Sequence, residues 1–181
     1  MDQPHDVITS DRFELPLLTR DELAALRRGE PDGVAEALHA SISTAWLDEV
    51  RWLAGMRWQQ LGQHPDHAPW LLRAIVLRDA ERPAIGHLNF HAPPDERGVP
   101  EVGYSLLPEF RGKGYAIEAV HALFDWAHRE HGVSRFRASV APDNDRSQNL
   151  IRKLGFGRVG EQWDPEDGLE WVFEAEWPPH D

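Results

Sequence analysis

A short glycine-containing segment has the residue types and spacing that most clearly indicate chemistry. It lies between a predicted strand that ends near Leu107 and a predicted helix over 115–131. Glycine allows tight backbone conformations and a close approach of the backbone to a ligand. The unpaired N–H groups of a helix's first turn, at the positive end of its dipole, attract anions. We therefore expect a bound phosphate or pyrophosphate at six residues: Arg111, Gly112, Lys113, Gly114, Tyr115 and Ala116.

Two basic side chains in this loop, Arg111 and Lys113, strengthen the expectation of an anion site. The glycine spacing matches neither the dinucleotide-binding G-x-G-x-x-G nor the P-loop G-x-x-x-x-G-K-[ST]. A plain strand-to-helix turn is the structural alternative for these glycines. A different anion-binding enzyme, such as a nucleotide-using transferase, is a further functional hypothesis.

Polar residues also gather on two predicted strands that precede the glycine loop. These strands, over 84–91 and 101–107, are joined by a Pro/Gly-rich turn and are expected to pair as an antiparallel hairpin. If the turn places the strand ends opposite each other, one face carries five polar residues: His87, Asn89, His91, Glu101 and Ser105. A polar face on an inner strand predicts a water-filled cleft for an acceptor molecule. A solvated sheet face is the alternative.

The ten histidines raise the question of a metal site. His128 and His131 lie three apart on a predicted helix, a spacing that can chelate, and His87 and His91 lie on one strand face. Neither pair has a third ligand at a recognisable spacing, and the chain has no cysteine. We therefore expect no bound metal.

The composition restricts the classes of partner. The 181 residues include 19 Lys and Arg against 31 Asp and Glu, a formal net charge of −12. Nucleic acids and anionic membranes attract basic proteins, so we expect neither as a partner. A negative field instead raises the local concentration of cationic ligands such as amines. The absence of cysteine excludes disulfides, thiolate metal ligands and a cysteine nucleophile.

The hydrophobic periodicity changes type along the chain, which predicts an α+β fold. Alternating segments predict six to seven strands, and helical spacing predicts a long helical region over 34–61 besides the helix over 115–131. At about 150 residues per domain, we expect a single domain over 11–177, between flexible tails over 1–10 and 178–181. The acidic N-terminus has no apolar run behind it, which indicates no signal peptide and a cytoplasmic location.

Two motifs in the second half of the chain resemble those of the GCN5-related N-acetyltransferase (GNAT) family. Residues 111–116 match [RQ]-x-x-G-x-[GA], which stands between the fourth predicted strand, 101–107, and the following helix. Downstream, N-x-x-S at 144–147 and K-x-G-F at 153–156 resemble the branch that acetylates ribosomal-protein N-termini and related amines. The two motifs together, with a strand between them, are more specific than either alone.

The resemblance implies a fold and a co-substrate. The fold is a mixed, mostly antiparallel central sheet with helices on both faces, splayed apart between the fourth and fifth strands, 101–107 and 134–140. Acetyl-CoA is implied to lie in the resulting cleft with its pyrophosphate on the N–H groups of the glycine loop. The residues implied to meet its pantetheine arm and thioester are Ser105, Leu106, Leu107, Asn144 and Ser147.

Acetyl transfer to an amine needs a proton acceptor for the amine and a proton donor for the departing thiolate. Many members of the family place a tyrosine donor four residues after the position of Ser147, where this chain has Ile151. Ser147 is the nearest substitute. The candidate bases are Glu101 and His91, with His87 as a further histidine. Glu101 precedes Leu107 by roughly 20 Å at about 3.3 Å per residue, so its role is expected through ordered water.

These patterns favour an enzyme that moves an acetyl group from acetyl-CoA directly to a primary amine of a small molecule or a protein N-terminus. The alternative is a non-catalytic CoA-binding regulatory module of the same fold, which Ile151 favours. Asn144 as a helix N-cap and Ser147 as a plain first-turn residue are the structural alternatives for those positions. The expected partners are acetyl-CoA and an amine acceptor. The net negative charge of the chain favours a cationic acceptor. Formation of a homodimer is left open.

Overall fold

The computed structural model describes residues 5–165 and 168–179. Its eight strands are β1 (Val7–Thr9), β2 (Phe13–Pro16), β3 (Arg73–Leu77), β4 (Ala84–Phe90), β5 (Val102–Leu106), β6 (Arg135–Val140), β7 (Gly157–Asp164) and β8 (Gly168–Glu176). Its five α-helices are α1 (Arg20–Arg28), α2 (Asp32–Leu38), α3 (Thr44–Gln63), α4 (Tyr115–His131) and α5 (Asp145–Lys153). Short 3-10 turns occupy Pro65–Trp70 and Pro108–Phe110. The mixed α+β class is confirmed.

The strands form two sheets that separate where the resemblance places the split. Strands β1 to β5 form an antiparallel sheet in sequence order, and β6, β8 and β7 form a second antiparallel sheet. Within the described residues, β5 and β6 meet at one isolated parallel bridge between Glu101 and Arg137. The Arg137 N–H donates to the carbonyl of Pro100 at 3.0 Å beside it. The strands are therefore joined at this end and open toward Leu106.

Helices cover both faces of the five-stranded sheet. On one face, Phe90 and Val102 pack in a buried cluster with Phe124 of α4. On the opposite face, Ala74 packs in a second cluster with Trp46 of α3. Because successive side chains of a strand point to opposite faces and both faces are covered, β4 is buried along its whole length.

Three local features differ from the sequence predictions. Val7–Thr9 pairs with β2 and buries Ile8, although it lies in the segment 1–10 expected to be a tail. The structure therefore has an eighth strand where six to seven were predicted, and the three residues of Val7–Thr9 are too few to show an alternating pattern in the sequence. The helical region predicted over 34–61 is two helices, because His39 takes a left-handed φ of 48° and Ser43 then caps α3. The predicted tail ends at 1–4 and 180–181 lie outside the described residues.

Candidate active site

A cavity of about 450 Å³ opens beside the split, between β5, the glycine loop, α4 and α5. Strand β5 supplies one wall, and α5, which follows β6, supplies the facing wall. Helix α4 begins at its edge with Tyr115. Eight of the predicted site residues line this cavity: Ser105, Leu106, Arg111, Gly112, Gly114, Tyr115, Ala116 and Ser147.

The other predicted residues lie outside the lining. Leu107 is buried in the cluster beneath α1 to α3, and Lys113 reaches over the Phe110 ring at 5.5 Å from its centroid. Asn144 is the N-cap of α5: its side-chain oxygen accepts a hydrogen bond from the Ser147 N–H at 3.1 Å. The capping alternative for Asn144 is thus confirmed. Glu101 and His91 belong to the joined end of the split and do not line the cavity.

Sequence reasoning missed six lining residues: Tyr104, Ile117, Arg146, Asn149, Leu150 and Lys153. Four of them lie on α5 at spacings of three and four, the signature of one helix face. That periodicity, read together with the position of Ser147, could have found them. Tyr104 follows from strand alternation only once the covered face of β5 is known.

The glycine loop has the backbone that the sequence predicts. Gly112 and Gly114 take left-handed φ values of 77° and 76°, which side chains with a Cβ rarely adopt. Gly114 is also the N-cap of α4, so no side chain is attached there to occupy the first-turn N–H groups. Arg111 braces the loop by donating from Nε to the Leu106 carbonyl at 2.8 Å. These features leave an accessible helix N-terminus at the cavity edge.

Arg12, which was not predicted from the sequence, contacts both the glycine loop and the start of α4. The Arg12 side chain donates to the Lys113 carbonyl at 3.2 Å and forms an ion pair with Glu118 of α4. Its guanidinium lies 4.7 Å from the centroid of the Tyr115 ring. The segment before β2 therefore holds the loop against the start of α4.

The charged side chains that line the cavity are all cationic. They are Arg111 from the loop and Arg146 and Lys153 from α5. In a chain whose net charge is −12, this local excess of positive charge is specific to the site. Together with the α4 N-terminus, it makes the cavity suited to a ligand with several negative charges.

Two of the hydroxyl groups that line the cavity are neighbours, those of Tyr104 and Ser147. Burial raises the pKa of the Tyr104 phenol, while the nearby Ser147 hydroxyl and Arg146 charge act in the opposite direction. The Tyr104 hydroxyl is buried without a hydrogen bond of normal geometry to the described residues. Ile151 is fully buried and has no proton to donate. Tyr104 and Ser147 are therefore a neighbouring pair of candidate proton donors, whereas the Ser105 hydroxyl donates to Glu49.

On the opposite face of the sheet, the predicted hairpin register is confirmed. His87 is paired with Ser105, and Asn89 with Gly103. The His91 N–H donates to the Glu101 carbonyl at 2.9 Å, so these two residues stand opposite each other. The polar face is covered by α3 and is not a solvated surface, since His87 and Asn89 are both buried.

Helix α3 brings its own charged groups to this polar face. The Ser105 hydroxyl donates to Glu49 Oε1 at 2.5 Å. Arg57, which is buried, donates from Nε to Asn89 Oδ1 at 2.9 Å. Burial lowers the pKa of Arg57 to about 10, so the guanidinium stays charged near neutral pH. Neither contact was foreseen from the sequence.

The pKa values of the two histidines of this face are lowered from the ordinary value of 6.5. Burial lowers the pKa of His87 to about 4, with the Arg57 charge acting in the same direction and Glu49 opposing it. Burial also lowers the pKa of His91, against the opposing effect of Glu101, whose Oε1 lies 3.7 Å from His91 Nδ1. A neutral imidazole can accept a proton, so His91 keeps the chemistry assigned to it as a candidate base.

Among the described residues, one group of three side chains could hold a metal ion: His64, Asp66 and His67, after α3. None of these lines the cavity. The histidine pairs considered in the sequence have structural contacts instead. His128 Nδ1 bonds the Val133 carbonyl at 2.8 Å, and the His131 ring packs 4.6 Å from that of Trp70.

The fold and cavity define an α+β protein with a cleft lined by cationic side chains beside two separating strands. The family model described as "Acetyltransferase (GNAT) domain" matches residues 12–157. The chain therefore belongs to the GNAT acetyltransferase family.

Among the described residues, no helix combines the length and apolarity needed to cross a bilayer.

Comparisons with individual proteins agree with this family. The uncharacterized N-acetyltransferase YjdG of Bacillus subtilis (strain 168) is 37% identical over 82 residues, which cover 45% of this chain and 49% of YjdG. The ribosomal protein uS5-alanine N-acetyltransferase of Escherichia coli (strain K12) is 36% identical over 59 residues, 33% of this chain and 30% of that enzyme. The match thus spans about half the length of the first relative and less of the second.

A solved structure shares the whole architecture. RimL, a ribosomal-protein α-N-acetyltransferase in complex with coenzyme A, matches with a TM-score of 0.63 and 19% identity over 94% of this chain and 98% of its own. This likeness confirms the GNAT fold. The similarity to the ribosomal-protein branch rests on the segment of 59 residues matched in the alanine acetyltransferase.

Proposed function

We propose that this protein is an acetyl-CoA-dependent N-acetyltransferase that moves the acetyl group directly to a primary amine of a small molecule or a protein N-terminus. The observation that carries the proposal is the cavity beside the β5–β6 split, whose charged lining residues are Arg111, Arg146 and Lys153. Coenzyme A carries several phosphate charges on a long, narrow arm. The family of the chain and the coenzyme A bound to RimL support the same ligand.

Different residues of the cavity bind different parts of acetyl-CoA. The N–H groups of 111–116 hold the pyrophosphate, where the left-handed glycines allow close approach. Arg146 and Lys153 neutralise phosphate charge from the facing helix. The backbone of β5 at Ser105, Leu106 and Leu107 pairs with the pantetheine arm. Asn144 acts through the helix that it caps.

The transfer step uses hydroxyl groups that line the same cavity. Ser147 lies on the first turn of α5 and supplies a proton to the departing thiolate, with the Tyr104 hydroxyl beside it. Glu101 and His91 stand at the joined end of the split, so each would accept the amine proton through ordered water. The acidic charge of the chain favours a cationic acceptor.

Calorimetry with acetyl-CoA and thiol release with a panel of amines test the proposal together. We expect saturable acetyl-CoA binding, weakened at least tenfold, or about 1.4 kcal/mol, by Arg146→Glu. Arg129→Glu is the matched control, because Arg129 is exposed on α4 and does not line the cavity. Binding without thiol release from any amine would favour the non-catalytic module. No acetyl-CoA binding at all would contradict both functions.

Location and assembly remain predictions. We propose a cytoplasmic protein, to be checked by cell fractionation. Homodimer formation is to be measured by light scattering during size-exclusion chromatography.

A further inference from the structure

One residue of β5 at the split is in contact with both the cavity and α3. Ser105 lines the cavity beside α4 and α5, and its hydroxyl donates to Glu49 Oε1 at 2.5 Å. Glu49 belongs to α3, on the opposite face of the sheet. A carboxylate on the α3 face therefore contacts a residue that lines the cavity.

We propose that Glu49 binds the ammonium group of the acceptor and takes its proton, with Ser105 orienting the carboxylate. This inference rests on the proposed N-acetyltransferase function. It assigns the acceptor to the α3 side of the split, so that the amine and acetyl-CoA reach the reacting carbon from opposite faces of the sheet.

The charge of Glu49 is available for an acceptor. Glu49 is exposed, and its Oε1 atom takes one hydrogen bond from Ser105. Among the described residues, no cationic side chain forms an ion pair with it. The nearby His87 is neutral and does not compensate the charge. A carboxylate without an ion-pair partner attracts a primary ammonium group, which is a compact cation with three N–H donors.

The position of Glu49 also suits the reaction better than that of Glu101. Glu101 lies at the bridge that joins β5 to β6, four residues before Ser105 and therefore about 13 Å along the strand. Its carboxylate faces His91. Glu49 instead meets β5 at Ser105, next to Tyr104 and Leu106, which line the cavity. A proton acceptor must reach the amine directly or through water. Glu49 contacts a residue that lines the cavity, so it is assigned the direct role, whereas Glu101 and His91 would receive the proton only through ordered water.

The proposed step balances in atoms and charge. The ammonium group gives one proton to the Glu49 carboxylate and becomes a neutral amine. The amine nitrogen forms a bond to the acetyl carbonyl carbon while the C–S bond breaks. Ser147 gives its hydroxyl proton to the departing sulfur, and the second N–H proton passes through water to restore the Ser147 hydroxyl, which leaves an amide and a free thiol. The protonated Glu49 then releases its proton to water, and the carboxylate is restored.

Kinetics of charge-removing variants test the inference. With an amine that the wild type acetylates, we expect Glu49→Gln to lower kcat/KM by about 10²-fold or more, the usual loss for a missing general base. Acetyl-CoA affinity, measured by calorimetry, should stay within threefold. Asp48→Asn is the matched control, since it removes the same charge from an exposed neighbour on α3 and should keep kcat/KM within twofold. Ser105→Ala should lie between the two.

A rescue experiment separates proton transfer from a structural role. Added formate should restore activity at least tenfold in Glu49→Ala, because a small carboxylate can occupy the vacated space. The Glu49 inference is overturned if Glu49→Gln stays within threefold of the wild type, if acetyl-CoA affinity falls as far as activity, or if formate restores nothing. A wild type that acetylates no amine would instead contradict the proposed function itself.

Discussion

Tyr104 of β5 and Ser147 of α5 bring two hydroxyl groups together at the cavity, although one comes from a strand and the other from a helix more than 40 residues later in the chain. The contact is close enough for Ser147 to lower the pKa of Tyr104 against the larger, opposite effect of burial. Because Ile151 cannot donate a proton, we expect this pair to take the place of the tyrosine that many family members have at that position. The first two predictions concern these hydroxyls.

Replacing Ser147 should impair chemistry but not binding. Removal of a general acid lowers the rate by about 10²–10⁴-fold, so we expect that loss in kcat for Ser147→Ala. Acetyl-CoA affinity should stay within a few-fold, since the phosphate-binding groups are unchanged. Discontinuous thiol-release assays measure kcat, and calorimetry measures the acetyl-CoA affinity. Unaltered turnover would assign Ser147 to the structure of the first turn of α5.

Replacing Tyr104 by phenylalanine should act in opposite directions on stability and activity. The hydroxyl is buried without a normal hydrogen bond, so its removal should stabilise the fold by about 1 kcal/mol, or roughly 2–4 °C in Tm. Turnover should fall about tenfold, because Ser147 loses its neighbouring donor. Thermal unfolding and kcat are measured on the same preparation. A lower Tm would contradict the prediction for stability, and an unchanged kcat would contradict the prediction for activity.

The glycine loop should be more sensitive to charge than to strain. Gly114 and Gly132, at the two ends of α4, both take a left-handed φ, 76° and 68°. Aspartate at either position should strain the backbone to a similar degree. Only Gly114→Asp places a negative charge where the phosphates approach, and it should weaken acetyl-CoA binding at least tenfold, about 1.4 kcal/mol. Equal affinities of the two folded variants would remove the loop from the site.

Arg57 should contribute to stability through its neutral partners. It donates to Asn89 Oδ1 at 2.9 Å and to Gln60 Oε1 at 2.7 Å, and Asn89 is buried. Arg57→Met leaves these acceptors unpaired, which should lower the free energy of unfolding by about 2 kcal/mol. The exposed Arg51 donates to the Arg27 carbonyl and is the matched control. Arg51→Met should cost less than about 0.5 kcal/mol in urea unfolding; equal losses would contradict the prediction.

Stability should fall as the pH decreases through the range set by His87. Its pKa is about 4 in the folded protein against an ordinary value of 6.5, so only the unfolded chain binds this proton in that range. The contribution of His87 to the free energy of unfolding is therefore complete above pH 6.5 and is lost progressively as the pH decreases to 4. His87→Leu should show a shallower dependence of unfolding free energy on pH over this range. His39→Asn, at an exposed position, should keep the wild-type slope, and identical slopes for all three proteins would contradict the assignment.

Local patterns determined much of the site from the sequence. The glycine loop was predictable because its conformation depends on a few adjacent residues and on the helix that starts there. The pairing of the two strands as a hairpin was predictable because they are neighbours in the chain and joined by a turn, whereas the register with His91 opposite Glu101 was a condition that the structure fulfils. The capping role of Asn144 was already an alternative for the same local reason.

Only the tertiary structure decided which side chains from distant segments meet. The contact of Glu49 with Ser105 depends on how α3 lies across β5, and the lining by Arg146 and Lys153 depends on where α5 packs after β6. Helical periodicity shows which residues share a face but not which face meets the cavity, since several packings bury the same apolar stripe. The short strand Val7–Thr9 likewise forms because β2 offers an open edge to pair with.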